Sequence, residues 1–206
     1  MNILIFGATG RVGSQLVTYA LHDRHHVTVL VRDPEKLQIN DENLTIIQGN
    51  VLIKDDIVRA MHGMDVVISA LNTDGTTTLS DSMPLIIEAM ENEGIKRILT
   101  IGTAGILQSR TMPNSLRYQS NESRQKSTRA AKEHHKVYDM LKQSTLEWTI
   151  VCPTYLPDGE RVGKYRIDRN FLPKGGAEIS VPDTAEFTYK QIKASDYEKT
   201  RVGISY

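Results

Sequence analysis

The feature that most constrains the fold of this chain is a glycine-rich turn close to its amino terminus. Three glycines, at positions 7, 10 and 13, follow the apolar run at residues 3–6 and open a segment with helical spacing. In such a turn one glycine permits a sharp exit from a strand, one lets backbone N–H groups approach a pyrophosphate, and one lets helix and strand pack closely. The helix directs its positive end at the anion. The predicted dinucleotide contacts are Gly7, Thr9, Gly10, Arg11, Val12 and Gly13.

The rest of the chain alternates short β-branched runs with longer periodic segments. Strands are predicted at residues 3–6, 27–31, 45–48, 66–70, 97–101 and 149–152. Apolar residues recur at helical spacing in the intervening residues 12–21 and 83–90. Strands that alternate with helices indicate a parallel sheet with crossover helices on both faces. We therefore expect a doubly wound α/β fold.

Two stretches interrupt this alternation. Residues 104–128 are polar with little periodicity, and residues 153–182 hold four prolines and a Gly-Gly pair. The first is predicted to be a long loop, and the second a loop with one or two short strands. A helix at residues 184–194 and a strand at 201–204 are expected to follow. The chain is interpreted as a single domain, residues 1–206, in which 152–206 supplies substrate-side loops and a closing helix.

The composition restricts the class of protein. The 206 residues carry 25 basic and 25 acidic side chains, and this balance argues against a general nucleic-acid binder. No apolar run approaches the roughly 18 residues that span a bilayer, and no signal peptide is visible. The single cysteine excludes a disulfide framework and a multi-cysteine zinc site. We expect a cytoplasmic monomer or homodimer with no metal, nucleic-acid or membrane partner.

The end of the second predicted strand bears on the choice of cofactor. An acidic residue there accepts hydrogen bonds from the adenosine ribose of NAD, whereas an arginine holds the 2′-phosphate of NADP. Arg32 occupies this position, and Lys36 lies one turn further on. Asp33 follows directly and is also within reach of a ribose hydroxyl. The sequence favours NADP(H), with NAD(H) and a purely surface role for Arg32 as alternatives.

These features agree with a resemblance to a known family. It rests on GATGRVG at residues 7–13, VLVRDPEKL at 29–37, QGNVLIKDDIVRAMHGMDVVISAL at 48–71, LEWTIVCP at 146–153 and ISVPDTAEFTYKQI at 179–192. The chain resembles the atypical short-chain dehydrogenase/reductases. Within them it is most similar to the NmrA-like NAD(P)H-binding group that includes biliverdin/flavin reductase-like proteins. The resemblance implies a Rossmann fold and does not identify a substrate.

The resemblance also implies further cofactor contacts at the ends of later strands. By position these are Asn50, Val51, Leu71, Asn72, Thr103 and Pro153. Asn50 stands where the family usually has aspartate, but its amide still accepts and donates hydrogen bonds. Thr103 and Tyr155 match positions beside the nicotinamide and the substrate, and they are the predicted groups that orient the substrate.

The catalytic group is harder to assign. Most of the superfamily uses a Tyr-x-x-x-Lys pair, and this pattern occurs at Tyr138 and at Tyr189, both out of the usual register. Helical phasing places His134 on an inward face with Ala130, Val137 and Leu141. The family's biliverdin/flavin reductases carry a histidine nearby, so His134 is a catalytic candidate, with a structural core histidine as the alternative.

Three functions follow from these observations. The first is an NADPH-dependent oxidoreductase that reduces a flavin, a quinone or a similar planar acceptor. The second is a redox-sensing regulator that binds NADP(H) without turnover. A sugar-nucleotide epimerase or dehydratase is disfavoured, because only about 50 residues follow the sixth strand. Residues 110–142 hold eight basic and three acidic side chains, which predicts an electropositive rim that attracts phosphorylated cofactors.

Overall fold

The computed structural model describes residues 1–123 and 127–206. Its strands are β1 (Asn2–Phe6), β2 (His26–Val31), β3 (Leu44–Gln48), β4 (Val66–Ser69), β5 (Arg97–Ile101), β6 (Glu147–Pro153), β7 (Arg166–Arg169) and β8 (Thr200–Ser205). Its α-helices are α1 (Arg11–His22), α2 (Lys54–Met61), α3 (Thr78–Asn92), α4 (Arg129–Gln143) and α5 (Val181–Lys190). Each of the six predicted parallel strands is present, with ends that differ by at most two residues.

The strands form a mostly parallel sheet in the order β3-β2-β1-β4-β5-β6-β8-β7, and only β7 is antiparallel, to β8. The chain moves outward in one direction from β1 to β3 and in the other from β4 onward. Open α/β sheets bind ligands outside the carboxyl ends of the strands, where this direction reverses. The predicted doubly wound α/β fold is confirmed, and it directs attention to the ends of β1 and β4.

Successive residues of each buried strand face opposite layers of helices. Leu4 and Phe6 pack with apolar residues of α2, α3 and α4 on one face, while Ile3 and Ile5 pack with those of α1 and α5 on the other. All four side chains are fully buried. This coverage explains why the β1 and β2 sequences are nearly continuous apolar runs rather than alternating ones.

The irregular regions are more ordered than the sequence predicts. Residues 104–128 contain single 3₁₀ turns at Ala104–Ile106 and Arg117–Gln119, and residues 124–126 of this predicted loop lie outside the described part of the chain. Helix α5 begins three residues earlier than predicted, because the Ser180 hydroxyl caps it by accepting the Asp183 N–H and proline fits the first turn. No helix in the described ranges is both long and apolar enough to cross a bilayer.

Candidate functional site

The turn between β1 and α1 requires glycine at two positions for packing alone. Gly7 has a φ of +77°, and a Cβ atom there would lie 2.5 Å from the carbonyl oxygen of Ala70 at the end of β4. A Cβ at Gly13 would lie 2.1 Å from the carbonyl oxygen of Gly7. At Gly10 the nearest atom is the same oxygen, at 3.2 Å. A side chain at position 10 would therefore be less tightly blocked than at positions 7 and 13, and glycine there leaves the outer side of the turn without side-chain atoms.

The first turn of α1 is open to an anion. Gly10 is the N-cap residue, it provides no side chain to cap the helix, and the first turn contains no acidic residue. The N–H groups at a helix start need partners, and a phosphate supplies oxygens for them. The uncapped helix and the turn without side chains together fit the pyrophosphate of a dinucleotide.

A cavity of about 270 Å³ adjoins this turn, at the carboxyl ends of β1 to β4. Eight of the predicted cofactor contacts line it: Gly7, Thr9, Gly10, Arg32, Asn50, Val51, Leu71 and Asn72. We refer to it as the smaller cavity. The structure thus brings together residues separated by up to 65 positions in the sequence.

Arg32 is exposed at the margin of the smaller cavity. Within residues 1–123 and 127–206 no carboxylate forms an ion pair with it, while the neighbouring Asp33 lies 3.6 Å from the Lys36 ammonium. Asp33 also accepts a hydrogen bond from the Glu35 N–H at 3.3 Å. The guanidinium of Arg32 is therefore available to an anionic ligand, and Asp33 is engaged elsewhere.

A second cavity of about 750 Å³ lies at the carboxyl ends of β5 and β6, and we call it the larger cavity. Its walls include the predicted Thr103 and Tyr155, and Tyr155 is 64% exposed. The Thr103 oxygen accepts the Gly105 N–H at 3.4 Å, so its own O–H is available to donate to a ligand. Pro153 is buried in β6 and lines neither cavity.

Residues 154–165, which we call the strap, connect β6 toward β7 across the start of α1. Arg11 does not line the smaller cavity, and its Nη1 donates to the Leu156 carbonyl at 3.0 Å and to Asp158 Oδ1 at 2.9 Å. Further along, the Val162 and Gly163 N–H groups each donate to the Asp183 carboxylate at 2.9 Å. The strap is thus held at the amino-terminal ends of both α1 and α5.

The carboxylate of Asp183 is fully buried. Burial by itself raises its pKa. Hydrogen bonds from the Tyr206 hydroxyl, the two strap amides and the Ser180 hydroxyl outweigh burial and hold the pKa below its usual value. The Tyr206 hydroxyl donates at 2.5 Å.

The buried face of α4 differs from the predicted one at Ala130 and also includes Glu133, for which no prediction was made. Val137 and Leu141 are buried as predicted, but Ala130 is exposed at the larger cavity, and Glu133 is buried where it accepts the Ser80 hydroxyl of α3 at 2.7 Å. His134 is only partly exposed and lines neither cavity. Burial lowers the pKa of His134 to about 4, so the imidazole is neutral near pH 7.

The tyrosines of the two Tyr-x-x-x-Lys patterns line neither the smaller nor the larger cavity. The Tyr138 ring packs edge-on against Trp148, with ring centroids 5.7 Å apart, and the Arg201 guanidinium covers it at 4.3 Å. Tyr189 donates to the Asp23 carboxylate at 2.6 Å, on the α1 side of the sheet. Burial raises the pKa of the Cys152 thiol to about 12, which agrees with its interpretation as an inert core residue.

The larger cavity also contains residues that the sequence did not single out. Arg117, Tyr118 and Glu122 line it from the segment that was predicted only as a long loop. Sequence position offers a general signal for these three residues, because loops at the carboxyl ends of parallel strands carry binding residues. Which of its side chains face the cavity depends on the 3₁₀ turn at Arg117–Gln119, and no local motif predicts that turn.

The predicted electropositive rim is partly neutralised. Arg110 pairs with Asp168 at 2.5 Å, and Lys136 pairs with Glu133 at 2.7 Å. Arg124 and Lys126, which contributed to the predicted excess, lie outside the described residues.

Comparisons with known proteins agree with this geometry. A structure from Bacteroides thetaiotaomicron, described as a candidate epimerase, is 29% identical; the match covers 100% of this chain and 96% of that one, with a TM-score of 0.86. A candidate NADH-flavin reductase from Streptococcus pneumoniae TIGR4 is 23% identical over 100% and 99% of the two chains, with a TM-score of 0.84. A short-chain dehydrogenase/reductase from Veillonella parvula DSM 2008, in complex with NADP, is 21% identical over 100% and 94%, with a TM-score of 0.80.

Similarity at these levels of identity supports the fold. The family assignment rests on the match to a family profile. The profile of a family described as NAD(P)H-binding matches residues 7–195, which include the glycine turn, both cavities and α5. The chain therefore belongs to the NAD(P)H-binding family.

Proposed function

We propose that this protein is an NADPH-dependent oxidoreductase that reduces a planar acceptor, such as a flavin or a quinone. The observation that carries the proposal is the pair of cavities along one edge of the sheet. The smaller one has the features of a dinucleotide site, and the larger one has room for a ring system. When bound, the reduced nicotinamide supplies a hydride to the acceptor.

The residues of the smaller cavity bind and orient the cofactor. The uncapped N–H groups of α1 take the pyrophosphate, and Asn50 and Val51 take the adenine. Arg32 takes the 2′-phosphate, which distinguishes NADPH from the competing NADH. Arg32 has no ion-pair partner among the described residues, and the neighbouring Asp33 is paired with Lys36, which supports this preference.

The residues of the larger cavity orient the acceptor. The Thr103 O–H donates to it, and the exposed ring of Tyr155 forms one wall. The backbone of Tyr155 is fixed, because its carbonyl accepts the Ile179 N–H at 2.9 Å. His134 has no place in this arrangement, since it lines neither cavity.

A regulator that binds NADP(H) without turnover is the second candidate. One observation favours it, namely that Tyr138 and Tyr189 are both committed to packing or hydrogen bonds outside the two cavities. Steady-state NADPH oxidation with FMN, riboflavin and a small quinone separates the two candidates. Turnover with at least one acceptor supports the reductase. Tight NADP(H) binding by calorimetry, with no oxidation of NADPH beyond the protein-free rate, supports the regulator.

A further inference from the structure

A chain of polar side chains leads from the larger cavity to the protein surface. Tyr118 lines the cavity, and its hydroxyl lies 2.9 Å from Nδ1 of His135 on α4. Nε2 of the same imidazole lies 3.5 Å from the Asp139 carboxylate, one helical turn further on. The side chains of His135 and Asp139 are 27% and 54% exposed. The three groups thus connect the cavity with bulk water.

Tyr118 is also close to the residue that is proposed to hold the acceptor. A Cβ atom at Gly105 would lie 3.5 Å from the Tyr118 Cβ, 3.6 Å from the Thr103 Cγ2 and 3.0 Å from the Ala131 Cβ. Thr103 and Tyr118 therefore border the same small region of the cavity wall. Glycine at position 105 leaves that region without a side chain of its own.

We propose that Tyr118 is the proton donor to a carbonyl acceptor in the larger cavity, and that His135, oriented by Asp139, returns the proton. This rests on the proposed reductase function. The acceptor class is a conjugated carbonyl compound such as a quinone, because the charge brought by a hydride collects on its oxygen.

The proton transfers balance. The carbonyl oxygen takes the proton of Tyr118 Oη as the acceptor gains the hydride that NADPH loses. The phenolate then takes the Nδ1 proton of His135, and Nε2 takes a proton from water at the exposed edge beside Asp139, so the ring changes tautomer and keeps its charge. Exchange with water restores the first tautomer before the next turnover. The sum is NADPH, one proton and the acceptor going to NADP⁺ and the reduced acceptor.

The chain offers a matched pair of tyrosines for a test. The rings of Tyr118 and Tyr138 both contact His135, with centroids 5.7 Å and 6.4 Å away, but only Tyr118 lines a cavity. With menadione as the quinone, Tyr118→Phe is expected to lower kcat by about 100-fold, and Tyr138→Phe to leave it unchanged. A loss below about tenfold in Tyr118→Phe, or an equal loss in both variants, overturns the proposal.

A binding measurement tests Tyr118 without turnover. Calorimetry compares 4-nitrophenolate, which carries the oxyanion that the donor would stabilise, with neutral nitrobenzene, each in the presence of NADP⁺. Tyr118→Phe is expected to weaken the binding of 4-nitrophenolate by about tenfold or more, because a hydrogen bond to a charged group is lost. The binding of nitrobenzene is expected to stay unchanged. Equal weakening of the two probes, or none, shows that Tyr118 is only a wall and overturns the proposal.

The positioning residue His135 has its own test. His135→Ala is expected to lower kcat for menadione with little change in KM, and added imidazole is expected to restore part of it through the opening left in the exposed site. A structural role gives no such recovery, and its absence overturns the relay. If the wild-type protein oxidises no NADPH with any acceptor, the proposed function fails, and the two binding probes still decide the role of Tyr118.

Discussion

Replacement of Arg32 by alanine tests the cofactor assignment most directly. The side chain lines the smaller cavity, is exposed, and has no ion-pair partner among the residues that the structure describes. The variant therefore leaves no buried charge without a partner and is expected to fold normally. NADPH carries a 2′-phosphate that NADH lacks, so only NADPH binding depends on this guanidinium.

The size of the effect follows from the exposure of Arg32. A charge-assisted hydrogen bond is worth roughly 1.5–3 kcal/mol, which corresponds to a loss of about 10- to 100-fold in affinity. Solvent and salt screen an exposed arginine, so the lower end of this range applies at physiological ionic strength. We expect Arg32→Ala to weaken the binding of NADPH by about tenfold and the binding of NADH by less than about twofold.

Calorimetric titration of both nucleotides at low and high salt measures this discrimination. The matched control is Lys36→Ala, because Lys36 is paired with Asp33 and lies outside the residues that line the smaller cavity. The ratio of NADPH to NADH affinity is expected to decrease with salt in the wild type and to be insensitive to salt in Arg32→Ala. Equal weakening of both nucleotides would refute the assignment of Arg32 to the 2′-phosphate.

Three further predictions follow from the site. Gly10→Asp places a carboxylate beside the proposed pyrophosphate position and is expected to lower NADPH affinity by about 100-fold, or roughly 3 kcal/mol. Tyr155→Ala is expected to raise KM for FMN severalfold with a smaller effect on NADPH binding. The pKa of Asp183 is lowered in the folded protein, so its carboxylate stabilises the fold above the ordinary aspartate pKa of about 3.9. This stabilisation is lost as pH falls through the lowered value. Asp183→Asn is therefore expected to make the free energy of unfolding less dependent on pH in the acid range.

Each of these predictions has a result that would contradict it. Unchanged NADPH affinity in a folded Gly10→Asp variant would remove the nucleotide assignment. Equal changes in KM for FMN and in Kd for NADPH would place Tyr155 at the cofactor instead of the acceptor. Denaturant titrations between pH 3 and pH 7 compare Asp183→Asn with Asp168→Asn, whose carboxylate is partly exposed and paired with Arg110. Identical acid limbs in these two variants would contradict the role of Asp183.

The fold was predictable because its signals are local. The β-branched runs and the helical spacing of residues 12–21 follow directly from burial on both faces of a parallel sheet. The glycine turn adds a steric requirement that few other structures share. The boundary of α5 was missed because Ser180 acts as a cap only when its hydroxyl meets the Asp183 amide, and prolines at 173 and 182 favoured a loop.

The candidate site was predictable only on the cofactor side. The residues of the smaller cavity occupy fixed positions after successive strands, so sequence position alone finds them. The larger cavity depends on how residues 104–123 fold against α4, which is a tertiary property. Helical phasing therefore selected His134, whereas its neighbour His135 contacts Tyr118. The buried face of α4 is rotated relative to the predicted face because α4 buries Glu133 against Ser80 of α3.

The position of β8 determines which strands separate together when the sheet opens locally. β8 follows β7 in sequence but lies between β6 and β7, so β7 has no other partner in the sheet. The Asn170 N–H donates to the Arg201 carbonyl at 2.7 Å, which ties the segment after β7 to β8 as well. Departure of β8 would remove the sheet partner of β7 and the Ser205 side chain that lies behind Gly176 in the wall of the larger cavity, while β1 to β6 stay paired. Amide hydrogens of β7 and β8 are expected to exchange with deuterium in one cooperative unit, and an acceptor bound in the larger cavity is expected to slow that exchange.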